Sequence, residues 1–143
     1  MKSSRILIEK VKEFEGFRGR AYKCPGGIWT IGYGHTKDVK QGDKISEAEA
    51  DRLLRKDLIT FEAFVDSLNV TVKQYKFDAL VDFCYNLGCT ALENSTLLRK
   101  IRSCQPDDEI RSEFMRWVYS GKKKLPGLEK RRKWEADRFF NLV

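Results

Sequence analysis

The sequence contains little of what builds metal sites. It has a single histidine, His35, and its four cysteines, at positions 24, 84, 89 and 104, form no CxxC pair. Zinc sites of the usual kind need four closely spaced histidine or cysteine ligands. We therefore expect neither a metal ion nor a cofactor. Cys89 and Cys104 could pair in an oxidising compartment, which the sequence alone does not decide.

Long apolar runs are also absent. No stretch approaches the ~18 residues of a membrane span, and the N-terminal segment MKSSRILIEKVKEFE acquires charges too early for a signal peptide. We expect a chain without stable membrane insertion that stays in the cytosol unless something releases it. The 143 residues contain no internal repeat and suit one domain built of one or two lobes.

Acidic residues are outnumbered. The chain carries 28 lysines and arginines against 21 aspartates and glutamates, a net charge of +7. This balance favours an acidic partner such as nucleic acid, an anionic membrane or an anionic wall polymer. No helix shows a basic stripe with interleaved aromatics, so we expect no nucleic-acid binding. The basic runs Lys122–Lys124 and Lys130–Lys133 are typical of solvated faces.

The first chemically informative residue is Glu15, at the end of a predicted helix over residues 4–15. Leu7, Val11 and Phe14 repeat along one face of that helix, and Gly16 is a natural residue to follow its last turn. Glu15 would then lie against the negative end of the helix dipole, which disfavours the charged carboxylate. A carboxyl group held protonated is what general-acid catalysis needs.

A β-hairpin is predicted next. Residues 21–23 and 28–33 read as strands around the turn at residues 25–27, which places Tyr22 opposite Thr30. Cys24 would then share a face of the hairpin with Thr30, because side chains alternate along a strand. Trp29, Ile31 and Tyr33 would point the other way, towards a core.

The rest of the chain is predicted to be mainly helical. A third short strand is expected within residues 38–45, and Ser46 and Glu49 form a capping box ahead of a long helix over about 47–68. A second capping box, residues 71–74, would open a buried helix ending at Leu87. Further helices are expected after Ser95, from residue 106 to 120, and over about 128–141. This order predicts an αβ lobe of about residues 1–50, a linking helix, and an all-helical lobe of about residues 70–143.

Several motifs of this sequence resemble the phage-type lysozymes, or endolysins, of glycoside hydrolase family 24. They are E-G-F-R at 15–18, A-Y at 21–22, W-T-I-G-Y-G-H-T at 29–36, FCYNLGC at 83–89, NSTLLRK at 94–100 and RWVYSGKKKLPGLEKRRKWE at 116–135. The family pattern of Glu, eight residues, Asp or Cys, five residues and Thr reads here as Glu15, Cys24 and Thr30.

The resemblance implies an α+β, lysozyme-like fold and a monomeric N-acetylmuramidase that cuts bacterial peptidoglycan between N-acetylmuramic acid and N-acetylglucosamine. It implies catalytic roles for Glu15, Cys24 and Thr30, and the host bacterial cytoplasm as the location before release to the wall. Substrate-binding positions along the cleft would be Thr36, Tyr85 and Ser95. Tyr85 reads equally well as a core aromatic.

Other roles stay open at this point. Cys24, where most glycosidases have a second carboxylate, is a thiolate base, a nucleophile or a neutral group that positions water. His35 is expected to be structural, and Arg131 or Arg132 could reach towards Glu15. Two other functions compete with hydrolysis: a lytic transglycosylase, which needs one acid and no second carboxylate, and a basic, non-catalytic module that binds the wall or nucleic acid.

Overall fold

The computed structural model describes residues 1–71 and 73–143. Within this part of the chain there are seven α-helices and two sheets of two strands each, so the predicted α+β class is confirmed. The elements in chain order are α1 (Arg5–Glu15), β1 (Arg18–Lys23), β2 (Trp29–Gly32), α2 (Glu47–Ser67), α3 (Gln74–Leu87), α4 (Cys89–Glu93), α5 (Thr96–Arg102), α6 (Asp107–Phe114), β3 (Tyr119–Ser120), β4 (Lys123–Lys124) and α7 (Pro126–Phe139).

The chain divides into two compact units. One consists of residues 5–60, and the other of Met1–Ser4 together with residues 61–143. The division falls inside α2, and the N-terminal residues belong to the second unit because the hydroxyls of Ser3 and Ser4 donate to Glu62 and Asp78. Among the described residues, no helix combines the length and the apolar character needed to cross a membrane.

In the unit of residues 5–60, α1 ends where the sequence predicts. Leu7, Ile8 and Val11 are buried along one face of the helix. Gly16 adopts a φ of 73°, which side-chain-bearing residues avoid, and its amide donates to the carbonyl of Lys12 at 2.8 Å. The turn therefore stops α1 at Glu15 and redirects the chain into β1.

The hairpin of β1 and β2 has the predicted register. Tyr22 pairs with Thr30 and Lys23 with Trp29, with an irregularity in the ladder between Arg18 and Tyr22. Ile31 and Tyr33 are buried as expected, whereas Trp29 is only half-buried.

The predicted third strand is replaced by irregular chain. Residues 38–45 hold the edge of β1 through two backbone hydrogen bonds, from the Ala21 amide to the Asp43 carbonyl and from the Ile45 amide to the Gly19 carbonyl. Together these bonds form one isolated bridge between Arg20 and Lys44. The pairing is too short for a strand. The capping box that follows is confirmed, because Glu49 accepts from the Ser46 amide while the Ser46 hydroxyl accepts from the Glu49 amide.

The second unit is built around α3, which is buried on most sides as its composition predicts. The predicted capping box at residues 71–74 includes Val72, which lies outside the described residues. The helix itself begins at Gln74, and its N-cap residue Lys73 makes no side-chain cap bond. Ser95 does cap α5 as predicted, since its hydroxyl accepts from the Leu98 amide at 3.0 Å.

This unit is not all-helical, contrary to the sequence prediction. α6 ends at Phe114 rather than at residue 120, and residues 119–124 form the exposed hairpin β3–β4. Gly121 takes a φ of 62° at the tip, and the amide of Leu125 donates to the carbonyl of Val118. These contacts close the hairpin directly ahead of α7, which begins at Pro126.

Buried charges join α7 to α3. The guanidinium of Arg131 donates two hydrogen bonds to Asp82, at 2.8 and 2.9 Å, and that of Arg138 binds Asp78. All four side chains are nearly or fully inaccessible to water. Removing one partner of such a pair leaves an uncompensated charge in the interior, so the pairs strongly constrain how α7 packs.

Candidate active site

Glu15 is the last residue of α1 and is half-buried. Its position follows from the glycine turn after it, which ends the helix and starts β1 two residues later. The strand that begins there runs to Lys23, directly before Cys24. A single helix–turn–hairpin segment therefore holds the three residues that the family pattern predicts to be catalytic.

Cys24 closes the hairpin turn. Its amide donates to the carbonyl of Ile28 at 3.0 Å, and its own carbonyl accepts from Gly27 at 2.8 Å. The thiol is free and half-buried. Hydrogen bonds from the backbone amides of Ile28 and Gly26 lower the pKa of the Cys24 thiol, and they outweigh the opposing effect of desolvation.

The lowering of the Cys24 pKa does not come from a neighbouring lysine. Lys23 lies on the opposite face, as strand alternation predicts, with its ammonium 5.4 Å from the centre of the Trp29 ring. The turn itself supplies the stabilisation, because backbone amides gathered around one atom form an anion-binding concavity. The geometry therefore favours a thiolate at Cys24.

Thr30 is adjacent to the thiol and almost fully buried, at 4% exposure. Its hydroxyl donates to the carbonyl of Ile28 at 3.0 Å, and it also makes a smaller contribution to lowering the Cys24 pKa. One hydroxyl has one proton, so donation to Ile28 competes with donation to the sulfur. The oxygen lone pairs stay oriented and can accept from a water molecule.

The predicted substrate-binding residues fall in both units. Thr36 is exposed, next to His35, whose Nδ1 lies 2.7 Å from Oδ2 of Asp57 on α2. His35 thus joins the loop after the hairpin to a helix, in line with the structural role expected for it.

Tyr85 and Ser95 belong to the second unit. Tyr85 is half-buried and meets Phe61 edge-on, with ring centres 5.4 Å apart. Ser95 is buried, and besides capping α5 its hydroxyl donates to the carbonyl of Leu92. Ser95 also lines an open cavity of about 300 Å³, whose other lining residues are Asn94, Thr96, Glu113, Arg116 and Trp117.

Comparison with known proteins identifies the family. The model of the family described as phage lysozyme matches residues 12–135. The chain belongs to the phage lysozyme family. The match includes the whole segment from Glu15 to Thr36, together with Tyr85 and Ser95.

Individual relatives agree with the family assignment. This phage lysozyme is 37% identical to an endolysin of Acyrthosiphon pisum secondary endosymbiont phage 1, over 90% of this chain and 91% of the relative. It is 43% identical to an endolysin of Bacillus phage B103, over 98% of this chain but only 54% of that longer relative. Among solved structures, an endolysin from Escherichia coli O157:H7 phage FAHEc1 aligns with a TM-score of 0.89 at 35% identity, covering 100% of this chain and 96% of the other.

The sequence prediction missed a buried carboxyl pair in this lysozyme. Asp82 on α3 and Glu135 on α7 hydrogen-bond each other while contacting Arg131 and Arg132. Burial and the Asp82 carboxyl together raise the pKa of Glu135, whereas Glu135 and Arg131 hold the pKa of Asp82 down despite its burial. The available signal was two aspartates, Asp78 and Asp82, within the otherwise apolar run of residues 77–84.

The same contacts show the structural role of Arg131 and Arg132. Arg131 binds Asp82, and Arg132 donates two hydrogen bonds to Glu135 and one to Asn86. Both arginines therefore help to hold α7 on α3.

The other three cysteines are free thiols. Cys84 is buried and hydrogen-bonds Cys89, and burial raises the pKa of both thiols. Cys104 is exposed.

Proposed function

We propose that this phage lysozyme is a peptidoglycan hydrolase that lyses bacteria by cleaving the β-1,4 bond between N-acetylmuramic acid and N-acetylglucosamine. The family match supports hydrolysis of the wall. The position of the Cys24 thiol beside the backbone amides of Ile28 and Gly26, on the segment that begins at Glu15, supports the assignment of roles.

In this proposal Glu15 is the general acid. Glycoside cleavage requires a proton on the leaving oxygen while positive charge develops at the anomeric carbon. Glu15, the last residue of α1, is the only carboxyl side chain in the segment from Glu15 to Thr36, which also carries Cys24 and Thr30. Glu15 protonates the bond oxygen as the bond breaks.

Cys24 supplies the second group as a thiolate. It accepts a proton from the attacking water, which Thr30 orients through its hydroxyl oxygen. This is the part that a second carboxylate performs in most glycosidases. The lowered thiol pKa supports the thiolate form. A covalent glycosyl–sulfur adduct, detected by mass spectrometry during turnover, would instead assign Cys24 as a nucleophile.

Further parts of the proposal concern binding and location. Thr36, Tyr85 and Ser95 contact the glycan. The enzyme works as a monomer on the wall, binds no nucleic acid, and is held in the host cytoplasm until release. Size-exclusion chromatography and fractionation of expressing cells test the oligomeric state and the location.

Glu15→Gln tests the central assignment. Glutamine keeps the size and hydrogen bonding of the side chain but cannot donate an acidic proton, so we expect activity to fall by about 10² to 10⁴. Glu13→Gln is the matched control, because Glu13 lies on the same helix, is exposed, and pairs only with Lys10 at 3.3 Å in the described part of the chain. Clearing of purified walls by Glu15→Gln at close to the wild-type rate would exclude Glu15 as the acid.

Because this chain has Cys24 in place of a second carboxylate, one alternative remains, a lytic transglycosylase. That reaction closes a 1,6-anhydro ring on muramic acid instead of adding water. Analysis of the sugar termini after digestion separates the two, since a hydrolase leaves reducing muramic acid ends.

A further inference from the structure

The positive charge of this chain is concentrated in one segment. Residues 116–133 carry eight basic side chains and one acidic side chain, a net charge of +7 that equals the charge of the whole protein. The other 125 residues carry 20 basic and 20 acidic side chains and are neutral overall. The protein is therefore not uniformly basic, and an acidic partner has one preferred segment to bind.

The fold separates two kinds of cation within this segment. Arg131 and Arg132 face inwards, at 5% and 0% exposure, and their guanidinium groups donate hydrogen bonds to Asp82 and Glu135. The lysines on either side of these arginines face outwards. The lysine surface consists of five exposed residues: Lys122, Lys123, Lys124, Lys130 and Lys133.

The five lysines lie on neighbouring elements. Lys124 on β4 pairs with Glu129 in the first turn of α7 at 3.2 Å, which holds the hairpin against the start of the helix. Lys133 lies one turn beyond Glu129 on the same face of α7, and Lys130 lies three residues before Lys133. Glu129 is the single acidic residue of the segment, so four of the five lysines have no carboxylate partner within it.

The chemistry of this surface fits a flexible polyanion. Lysine ammonium groups on long, mobile side chains act as point charges without fixed geometry, which suits repeated phosphates more than one shaped small ligand. Tyr119, at 56% exposure, is the one strongly exposed large apolar residue within residues 116–133. The inward face of α7 is buried from Arg131 to Phe139, so α7 offers no apolar stripe for insertion into a membrane.

We propose that the lysine surface is a docking site for the phosphodiester polymer of the bacterial wall, teichoic acid, outside the glycan-cleaving residues. The choice of the wall polymer over nucleic acid, which shares the phosphodiester chemistry, rests on the proposed function. Docking would concentrate the enzyme at its insoluble substrate, and it would weaken as salt rises because it releases condensed counterions.

The test compares two quadruple variants with the same change in net charge. The first replaces Lys122, Lys123, Lys130 and Lys133 with Gln. The control replaces four exposed lysines elsewhere with Gln: Lys2, Lys40, Lys44 and Lys56. Neither set includes a residue assigned to catalysis or glycan binding. Binding is measured by cosedimentation in the cold on sacculi that carry teichoic acid and on the same sacculi stripped of it with hydrofluoric acid.

We expect the first variant to lose about tenfold or more in affinity for the teichoic-acid sacculi, with a shallower salt dependence, while the control binds like wild type. Stripping the sacculi should lower wild-type binding to the level of the first variant. Hydrolysis of stripped sacculi should be equal for all three proteins.

Three results would overturn the proposal. Equal losses in both variants would make total charge, not this surface, responsible. Wild-type binding that survives stripping would remove the polymer as the partner. Stronger competition by DNA or by phosphatidylglycerol vesicles than by soluble teichoic acid would assign the surface to nucleic acid or membrane. Because binding and hydrolysis are scored separately, a wild type that binds but releases no reducing ends refutes the proposed function and leaves the docking result intact.

Discussion

The titration of Cys24 gives the sharpest test of the proposed chemistry. A free thiol has a pKa of about 8.5, so about 3% is ionised at pH 7. The Ile28 and Gly26 amides at the hairpin turn lower the Cys24 pKa, and each unit of lowering multiplies the small thiolate fraction about tenfold. We expect the rate of iodoacetamide alkylation of Cys24, followed by mass spectrometry, to rise with pH through a midpoint below that of a free thiol.

The same midpoint should govern catalysis. If the thiolate is the working form, the acid limb of the rate of wall clearing coincides with the alkylation midpoint, and each further pH unit below it lowers the rate about tenfold. Cys24→Asp should hold its activity to much lower pH, because aspartate titrates near ~3.9. The activity of Cys24→Asp should also survive treatment with alkylating agents, since burial raises the pKa of the Cys84 and Cys89 thiols and Cys104 has no proposed role in catalysis or binding.

The variant Thr30→Val tests the effect of the Thr30 hydroxyl separately from that of the backbone amides. The Thr30 hydroxyl contributes less to the Cys24 shift than the two amides and also donates to the Ile28 carbonyl. We therefore expect the alkylation midpoint to rise slightly and to stay below the free-thiol value, while the clearing rate falls because the water loses its orientation.

Several results would refute this reasoning. An alkylation midpoint at or above the free-thiol value would mean that the amides do not stabilise a thiolate. Coinciding acid limbs for wild type and Cys24→Asp, with appreciable activity in Cys24→Ser, would identify a neutral thiol that only positions water. Full activity in Cys24→Ala would remove the residue from the mechanism and favour the transglycosylase.

Two further predictions concern stability. Gly27 has a φ of 80°, and a Cβ added there would meet nothing within 4 Å, so Gly27→Ala should lower the free energy of unfolding by about 1–2 kcal/mol from backbone strain alone. Gly26→Ala should be nearly neutral, because its Cβ would meet the Cys24 sulfur at an ordinary contact distance of 3.8 Å. Urea unfolding of both variants checks this, and equal midpoints would contradict it. Glu135 has a raised pKa when folded, so its contribution to stability is present below the unfolded value of about 4.3 and is lost as pH rises towards the folded value. Wild type should therefore lose stability relative to Glu135→Gln over that range, by at most about 1.4 kcal/mol per pH unit, and a pH-independent difference would exclude the effect.

Local signals in the sequence determined the segment that carries the candidate site. The end of α1 at Glu15 follows from helical periodicity and one glycine. The pairing of Tyr22 with Thr30 follows from a three-residue turn and strand alternation, and the Ser46–Glu49 box follows from side chains bonding amides three residues away. All of these depend on hydrogen bonds between near neighbours in the chain, so a single stretch of sequence encodes them.

The folded structure decided what the residue patterns do not specify. The run of residues 130–133 reads as a uniformly solvated basic face, yet its two arginines are buried. Arg131 binds Asp82 and Arg132 binds Asn86, both on α3 and nearly fifty positions earlier in the chain. The β3–β4 hairpin replaced a predicted helical end because the backbone closes between Val118 and Leu125. Lowering of the Cys24 pKa likewise required the folded turn, since backbone amides are present at every residue and only their convergence on one sulfur atom distinguishes this site.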